Sequence, residues 1–281
     1  MMPVIRRVAA RDGLALNALD WAGDESRTPL LCLTGICRTA WDYALLAERH
    51  AGKRRIVALD YMGHGDSARS EDLSRYRPDR AVADILDACA ALHLPRAVVI
   101  GTSFGGLMAM VLSMLRPTLL RAVVLNDIGP RIDPGGIELV GGFAGHDPGF
   151  ASIEEAITYL RTVMPRIPLP DEEAWRHFAS LTYKPGEDGL LHPRWDTRIQ
   201  QAMNVAGGTP DLGPAFRGLR PIPGMLVWAE ASEFLAADTV RAMVRDKPDL
   251  ELITLPGAGH CPTLEEPEVV RPLDHFLDRI P

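Results

Sequence analysis

The stretch AVVIGTSFGG, residues 97–106, decides the fold. Its apolar first half leads through a glycine-rich turn into the apolar segment LMAMVLSML, residues 107–115. A short, almost wholly apolar run is typical of a strand buried on both faces of a parallel sheet, and the longer segment predicts a buried helix. The pattern Gly-x-Ser-x-Gly between such a strand and such a helix predicts a tight turn that lifts Ser103 clear of the sheet. Ser103 is therefore the candidate nucleophile.

Similar apolar runs recur on both sides of this stretch, and helical patterns separate most of them. The predicted strands are Val4–Val8, Leu14–Leu19, Leu30–Thr34, Arg55–Asp60, Ala97–Thr102, Ala122–Asn126, Met225–Glu230 and Leu250–Leu255. Strands that alternate with helices favour an α/β fold. We expect an eight-stranded, mostly parallel sheet flanked by helices.

The alternation breaks off after residue 129 and resumes near residue 221. Ser152 and Glu155 form a capping box before an apolar helical pattern, and Asp171 is placed to cap a further helix. Residues 130–220 are therefore predicted to form a helical cap, inserted into a core made of residues 1–129 and 221–281. A purely structural subdomain is the alternative reading of the insertion.

Composition excludes several classes of protein. The 281 residues are 47% hydrophobic and 24% charged, with a formal net charge of −7, so nucleic acid and anionic membranes are not expected partners. Residues 107–112 are the longest purely apolar run, and no apolar signal region follows the N-terminus. The four cysteines lack metal-binding spacing. We expect a cytoplasmic protein with a small-molecule substrate and no metal, and we leave a homo-oligomer open.

A serine hydroxyl needs a base that removes its proton. His260 is the best placed of the eight histidines, in the loop PGAGHCP, residues 256–262, between the last predicted strand and a helical pattern. A glycine-flanked loop at the carboxyl edge of the sheet can bring an imidazole over the serine. His260 is therefore the predicted base.

A carboxylate should fix the tautomer and orientation of this imidazole. Three acids compete: Glu233, in the loop after the strand that begins at Met225; Glu230, at the end of that strand; and Asp127, after the earlier strand that ends at Asn126. We favour Glu233, because a triad acid is expected in that loop. Asp127 is the alternative acid.

The oxyanion that forms when a serine attacks a carbonyl needs two N–H donors. One should be the backbone amide of Phe104, directly after the nucleophile. The loop TGICR, residues 34–38, follows a predicted strand and contains a glycine that allows a sharp turn. The backbone amide of Ile36 is our candidate for the second donor.

Taken together, these motifs resemble the α/β-hydrolase superfamily, in its esterase, lactonase and C–C hydrolase branch. The segments that carry the resemblance are TGICR, DYMGHGDS at 60–67, GTSFGG at 101–106, LNDIGP at 125–130, WAEASE at 228–233 and GAGHCP at 257–262. The resemblance implies that residues 60–67 form a structural turn, so His64 is not counted as catalytic. The chain departs from the family in two places: Thr34 stands where a histidine is usual, and the favoured acid Glu233 is a glutamate where the family usually has aspartate.

The resemblance implies a serine hydrolase that cleaves a carboxylic ester or lactone through an acyl-enzyme, without a cofactor. One alternative is a C–C bond hydrolase of aromatic ring-cleavage products, in which Arg38 would bind a substrate carboxylate. Another is a non-catalytic ligand-binding protein on the same fold, because a fold does not determine a function.

Overall fold

A computed structural model describes residues 2–205 and 211–281. Its strands are β1 (Val4–Ala9), β2 (Ala15–Trp21), β3 (Leu30–Leu33), β4 (Ile56–Asp60), β5 (Ala97–Thr102), β6 (Leu120–Asn126), β7 (Tyr183–Pro185), β8 (Leu191–Pro193), β9 (Gly224–Ala229) and β10 (Glu251–Leu255). One eight-stranded sheet has the order β1-β2-β4-β3-β5-β6-β9-β10. The pairs β1–β2 and β2–β4 are antiparallel and the others are parallel. The predicted α/β fold with a mostly parallel eight-stranded sheet is confirmed.

The helices are α1 (Ala44–Arg49), α2 (Pro78–Ala91), α3 (Phe104–Leu115), α4 (Pro134–Ala144), α5 (Ile153–Val163), α6 (Glu172–Thr182), α7 (Ile199–Val205), α8 (Gly213–Arg217), α9 (Ala237–Asp246) and α10 (Pro267–Asp278). Side chains of α2, α3, α8 and α9 share one hydrophobic cluster with one face of the sheet, and those of α1 and α10 share a second cluster with the other face. No helix within the described ranges is long and apolar enough to cross a membrane.

The central strands divide their side chains between these two clusters with the period of two that a strand imposes. In β5, Val99 belongs to the first cluster, whereas Val98 and Ile100 belong to the second. All three side chains are fully buried. Burial on both faces explains why β5 reads as a continuous apolar run.

The interval between β6 and β9 contains α4 to α8 and the two-stranded ribbon β7–β8. Two of its helices, α5 and α6, begin where the sequence predicts caps: the side chain of Ser152 accepts a hydrogen bond from the amide of Glu155, and Asp171 accepts one from Ala174. The Glu155 carboxylate accepts a bond from the amide of Ala151, one residue before the expected partner Ser152. We call residues 130–212 the cap and propose that they form a unit of their own.

The sequence predicts that the cap ends at residue 220, and we propose instead that it ends before α8. Ala215, Phe216 and Leu219 are buried in the cluster that α3 shares with the sheet. The hydroxyl of Ser113 on α3 donates a 2.7 Å hydrogen bond to the carbonyl of Ala215, which fixes α8 to the core. The polar and glycine-rich sequence before α8 hid this change of partner.

Candidate active site

Ser103 occupies the turn between β5 and α3 with φ +50° and ψ −114°, a strained conformation for a residue other than glycine. The flanking glycines leave room for it. A Cβ atom at Gly105 would lie 2.0 Å from the carbonyl oxygen of Leu33, and one at Gly101 would lie 2.5 Å from the amide nitrogen of Gly106. A side chain at either glycine would therefore collide with backbone, and the tight turn that the sequence predicts is present.

His260 lies in the loop between β10 and α10, and its Nε2 atom is 2.9 Å from Oγ of Ser103. Two contacts hold this loop and its ring. The amide of Gly259 donates a 2.8 Å hydrogen bond to the carbonyl of Arg166 in the cap. The ring of Phe234 stacks on the imidazole, with ring centres 3.8 Å apart. The predicted nucleophile and base are therefore neighbours.

The carboxylate that meets His260 belongs to Asp127, whose Oδ2 atom lies 2.7 Å from Nδ1 of the imidazole. Asp127 is fully buried. Its second oxygen, Oδ1, accepts a 3.0 Å hydrogen bond from the amide of Ala229, and its own amide donates to the carbonyl of Val227. Because a carboxylate only accepts, Nδ1 carries the proton, and the lone pair of Nε2 faces Ser103.

The preference for Glu233 as the partner of His260 is contradicted by this geometry. Glu233 is exposed and lines the cavity above Ser103, and neither it nor Glu230 has a hydrogen bond to His260 among the described residues. Strands β6 and β9 are neighbours in the sheet, so the loops after both open at the same edge. The sequence names both loops but does not show which one reaches the imidazole.

The two predicted oxyanion donors belong to segments that both lie next to Ser103. Phe104 is the first residue of α3, so its amide belongs to the positive end of that helix. A Cβ atom at Gly35 would lie only 3.5 Å from Cβ of Ser103, which shows how closely the loop containing Ile36 approaches the nucleophile. Within the described residues, neither of these two amides has a hydrogen-bond acceptor. Both remain available to an oxyanion.

Arg38, the predicted anchor for a substrate carboxylate, is already engaged within the protein. Its Nε and Nη2 atoms donate bonds of 2.6 and 2.7 Å to the carboxylate of Asp42, and Nη1 donates to the hydroxyl of Thr182 at the end of α6. Its guanidinium also lies over the ring of Phe178, 4.0 Å from the ring centre. Arg38 therefore links the loop that contains Ile36 to the cap.

A cavity of about 520 Å³ lies between the cap and Ser103. Its lining is mostly apolar and includes Ile36, Leu139, Phe143, Val163, Met164 and Phe178. The charged side chains at its rim are Glu138, Arg166 and Glu233, and all three are exposed. Among residues 2–205 and 211–281, no carboxylate lies within ion-pair distance of the Arg166 guanidinium.

A second cavity, of about 600 Å³, lies on the other side of Arg38, Phe178 and Cys261, which line both spaces. Thr34 and Thr102 line it from the core, and the first half of α6 lines it from the cap. Within the described residues no group of three or more His, Cys, Asp or Glu side chains could hold a metal ion.

Residues 30–273 match the model of a family described as the alpha/beta hydrolase family. The chain belongs to this alpha/beta hydrolase family. A 3-hydroxybutyrate-oligomer hydrolase of Cupriavidus necator is 30% identical over 267 residues, which cover 92% of this chain and 91% of the relative. A 2-(acetamidomethylene)succinate hydrolase of Mesorhizobium japonicum is 28% identical over 251 residues, 89% of this chain and 87% of the relative.

The solved structures agree. The crystal structure of an alpha/beta hydrolase from Novosphingobium aromaticivorans superimposes with a TM-score of 0.94 at 34% identity, and the match covers 99% of both chains. The resemblance inferred from the motifs is confirmed. In this alpha/beta hydrolase, sequence reasoning overlooked Phe234 and Arg166. Phe234 stacks on the imidazole from the loop between β9 and α9, and the backbone of Arg166 in the cap holds the neighbouring Gly259, contacts that only the folded chain shows.

Proposed function

We propose that this chain is a serine hydrolase that cleaves a carboxylic ester or lactone of a small, largely apolar substrate through an acyl-enzyme. The observation that carries the proposal is the continuous hydrogen-bonded series from Asp127 through His260 to Ser103, with distances of 2.7 and 2.9 Å. It supplies a nucleophile, a base and a group that orients the base, which are the parts that acyl transfer requires.

In the first half of the proposed reaction, Nε2 of His260 takes the hydroxyl proton of Ser103 while Oγ attacks the substrate carbonyl carbon. The carbonyl π electrons move to its oxygen, which accepts hydrogen bonds from the amides of Ile36 and Phe104. The imidazolium is stabilised by Asp127. When the oxyanion collapses, the bond to the alcohol oxygen breaks, and His260 returns its proton to that oxygen.

In the second half, His260 removes a proton from water, and the hydroxide oxygen attacks the acyl carbon. The bond to Oγ then breaks, Ser103 regains its proton from His260, and the carboxylic acid leaves. Every proton that moves is carried by one imidazole, so the proposed reaction needs no metal and no cofactor.

The cavity supports a substrate class. Its mostly apolar lining suits a short aliphatic acyl group, and its volume of about 520 Å³ admits a small molecule. The Cupriavidus relative is named for oligomers of 3-hydroxybutyrate, whose units are joined by carboxylic ester bonds. We propose an ester or lactone of a short hydroxy acid as substrate, with Arg166 at the rim available to a terminal carboxylate.

C–C bond hydrolysis has less support. That alternative uses Arg38 as the carboxylate anchor, but the charge of its guanidinium is neutralised by Asp42 in a bidentate pair. The four cysteines are thiols, three of them buried. We propose a cytoplasmic location on that basis, since structural disulfides are typical of oxidising compartments.

Labelling with a fluorophosphonate, which reacts with activated serines, tests the proposal. We expect wild-type protein to be labelled and to hydrolyse p-nitrophenyl butyrate, and Ser103→Ala to do neither. Ser113→Ala is the control, because it makes the same substitution at a buried serine near the far end of α3. If the wild-type protein did not react with the fluorophosphonate and hydrolysed no ester or lactone, the result would support the non-catalytic alternative instead.

A further inference from the structure

The side-chain amide of Asn126 touches two of the three segments that the proposed chemistry uses. Asn126 ends β6, immediately before Asp127, and is the register partner of Thr102 at the end of β5. Its Nδ2 atom lies 3.1 Å from Oγ1 of Thr102 and 2.8 Å from the carbonyl oxygen of Pro262. The side chain is 1% exposed, so water does not compete for these bonds.

The series continues beyond Thr102. The hydroxyl of Tyr43 lies 3.0 Å from Oγ1 of Thr102 and 2.8 Å from the carbonyl oxygen of Leu33. Burial raises the pKa of Tyr43 well above its ordinary value, so the phenol keeps its proton. That single proton goes to the carbonyl, which can only accept, and the Tyr43 oxygen accepts from Thr102 in turn.

With these directions every donor in the series has an acceptor. Asn126 donates to Pro262 and to Thr102, Thr102 donates to Tyr43, and Tyr43 donates to Leu33. Buried hydrogen bonds that are satisfied in one direction polarise one another and fix a single arrangement.

Three residues of this hydrogen-bonded series lie next to segments that the proposed chemistry uses. Pro262 is two residues after His260, Thr102 immediately precedes Ser103, and Leu33 leads into the loop that contains Ile36. One buried network therefore connects the base, the nucleophile and the proposed oxyanion loop. The network reaches this loop through the carbonyl of Leu33, at the end of β3. The hydroxyl of the next residue, Thr34, is buried and has no hydrogen-bond partner among the described residues.

We propose that Asn126 is a positioning residue, which holds the loop of His260 at a fixed distance from the turn that carries Ser103. The inference rests on the proposed roles of Ser103, His260 and Asp127. Proton transfer and attack require side chains held to within about half an ångström, and a displacement of about 1 Å at a remote support can cost on the order of 100-fold in rate. Asn126 does not touch the substrate cavity.

The test compares Asn126→Ala with Thr102→Val, Thr102→Ser and Ser113→Ala. We expect Asn126→Ala to lower kcat for p-nitrophenyl butyrate by roughly 10- to 100-fold at nearly unchanged KM, because the cavity is intact and the base is misplaced. Thr102→Val breaks the same link and should lower kcat as well, whereas Thr102→Ser keeps the hydroxyl and should restore it. In the double variant Asn126→Ala, Thr102→Val, the fold-loss in kcat should be smaller than the product of the two single fold-losses, because both substitutions disrupt the same network.

Ser113→Ala removes a buried hydroxyl that lies 2.7 Å from the carbonyl oxygens of both Met110 and Ala215, outside the site, so it should lower the melting temperature and leave kcat unchanged. If Asn126→Ala behaved in the same way, Asn126 would be a structural residue only. If Asn126→Ala did not fold, equal kcat values for Thr102→Val and wild type would reject the inference. Failure of the proposed function has a different signature, because either Ser103→Ala would keep hydrolytic activity or the wild-type protein would hydrolyse no ester or lactone.

Discussion

Oδ2 of Asp127 lies 2.7 Å from Nδ1 of His260, although 133 positions separate the two residues in the chain. The pair exists because β6 and β9 are adjacent parallel strands, and the loop of His260 folds back over their carboxyl ends. The amide of Ala229, the last residue of β9, donates to the other carboxylate oxygen of Asp127. The carboxylate of Asp127 is thus held by β9, and the loop after β9 is the one from which the sequence analysis expected the acid.

Asp127→Asn should lower kcat on the order of 10⁴-fold, because an amide can hold the imidazole in the wrong tautomer and cannot stabilise the imidazolium. Glu233→Gln is the matched control, and we expect its kcat to stay within about threefold of wild type, since an exposed side chain without a bond to His260 contributes little. Both variants are measured on one p-nitrophenyl ester. A larger loss for Glu233→Gln would return the role of triad acid to Glu233.

His64 should make stability depend on pH. Its ring is 4% exposed, its Nδ1 atom lies 3.1 Å from the carbonyl oxygen of Met62, and burial lowers its pKa from 6.5 to about 4. Between these two pH values the unfolded chain binds a proton that the folded chain refuses. The contribution of His64 is therefore complete above pH 6.5 and is lost as the pH falls to about 4, by up to about 3 kcal/mol.

Urea unfolding of wild type and His64→Gln at pH 7.5 and at about pH 4.5 measures this effect, because the difference between the variants isolates one group. We expect the advantage of wild type to shrink at the lower pH. The buried carboxyl of Asp60, whose pKa burial raises to about 6, acts in the opposite direction and is common to both proteins. An advantage independent of pH would mean that His64 titrates normally in the folded protein.

Arg166 and Arg38 should respond differently to the charge of the substrate. We expect Arg166→Met to raise KM for an ester with a terminal carboxylate by roughly 10-fold and to leave KM for its methyl ester unchanged, as the loss of one charge-assisted hydrogen bond predicts. Arg38→Met should affect both substrates alike, because its charge is paired with Asp42. Steady-state kinetics on the two esters decide, and discrimination by Arg38 alone would revive the C–C hydrolase alternative.

Leu139 offers a test of the cavity. It lines the rim with 41% of its surface exposed. Leu139→Trp should lower kcat/KM for p-nitrophenyl octanoate at least about 10-fold more than for the acetate, because the larger ring narrows the entrance. Met114→Trp places the same ring on an exposed position of α3 away from the cavity and serves as control. Equal losses on both esters would show that Leu139 does not meet the acyl chain.

The fold could be predicted from the sequence because the central strands β3 to β6 are buried on both faces. The strands of the large sheet could be recognised from their apolar residues. The tight turn at Ser103 could be recognised from the glycines that flank it. Assigning α8 required more, since Phe216 and Leu219 would suit a cap helix and a core helix equally well. Their burial in the cluster shared with α3, together with the contact from Ser113, separates the two.

At the site, the sequence predicted that Ser103 and His260 meet, as they do, but it paired the imidazole with a carboxylate in the wrong loop. Asp127 and Glu233 both follow strands that end at one sheet edge, and the sequence carries no measure of which side chain turns inward. Asp127 has a φ of +50°, which is uncommon for a residue other than glycine, and its amide donates to the carbonyl of Val227 on the neighbouring strand. That bond forms only once the sheet has assembled.

Because Asp127 directly follows β6, the loop between β9 and α9 contains no member of the proposed triad. That loop supplies Phe234, stacked on the imidazole, and Glu233, at the rim of the cavity. The rest of this loop can therefore change in length and charge without removing Asp127, His260 or Ser103. Selection for a new substrate, in nature or in a mutant library, can therefore change these positions without removing a member of the proposed triad.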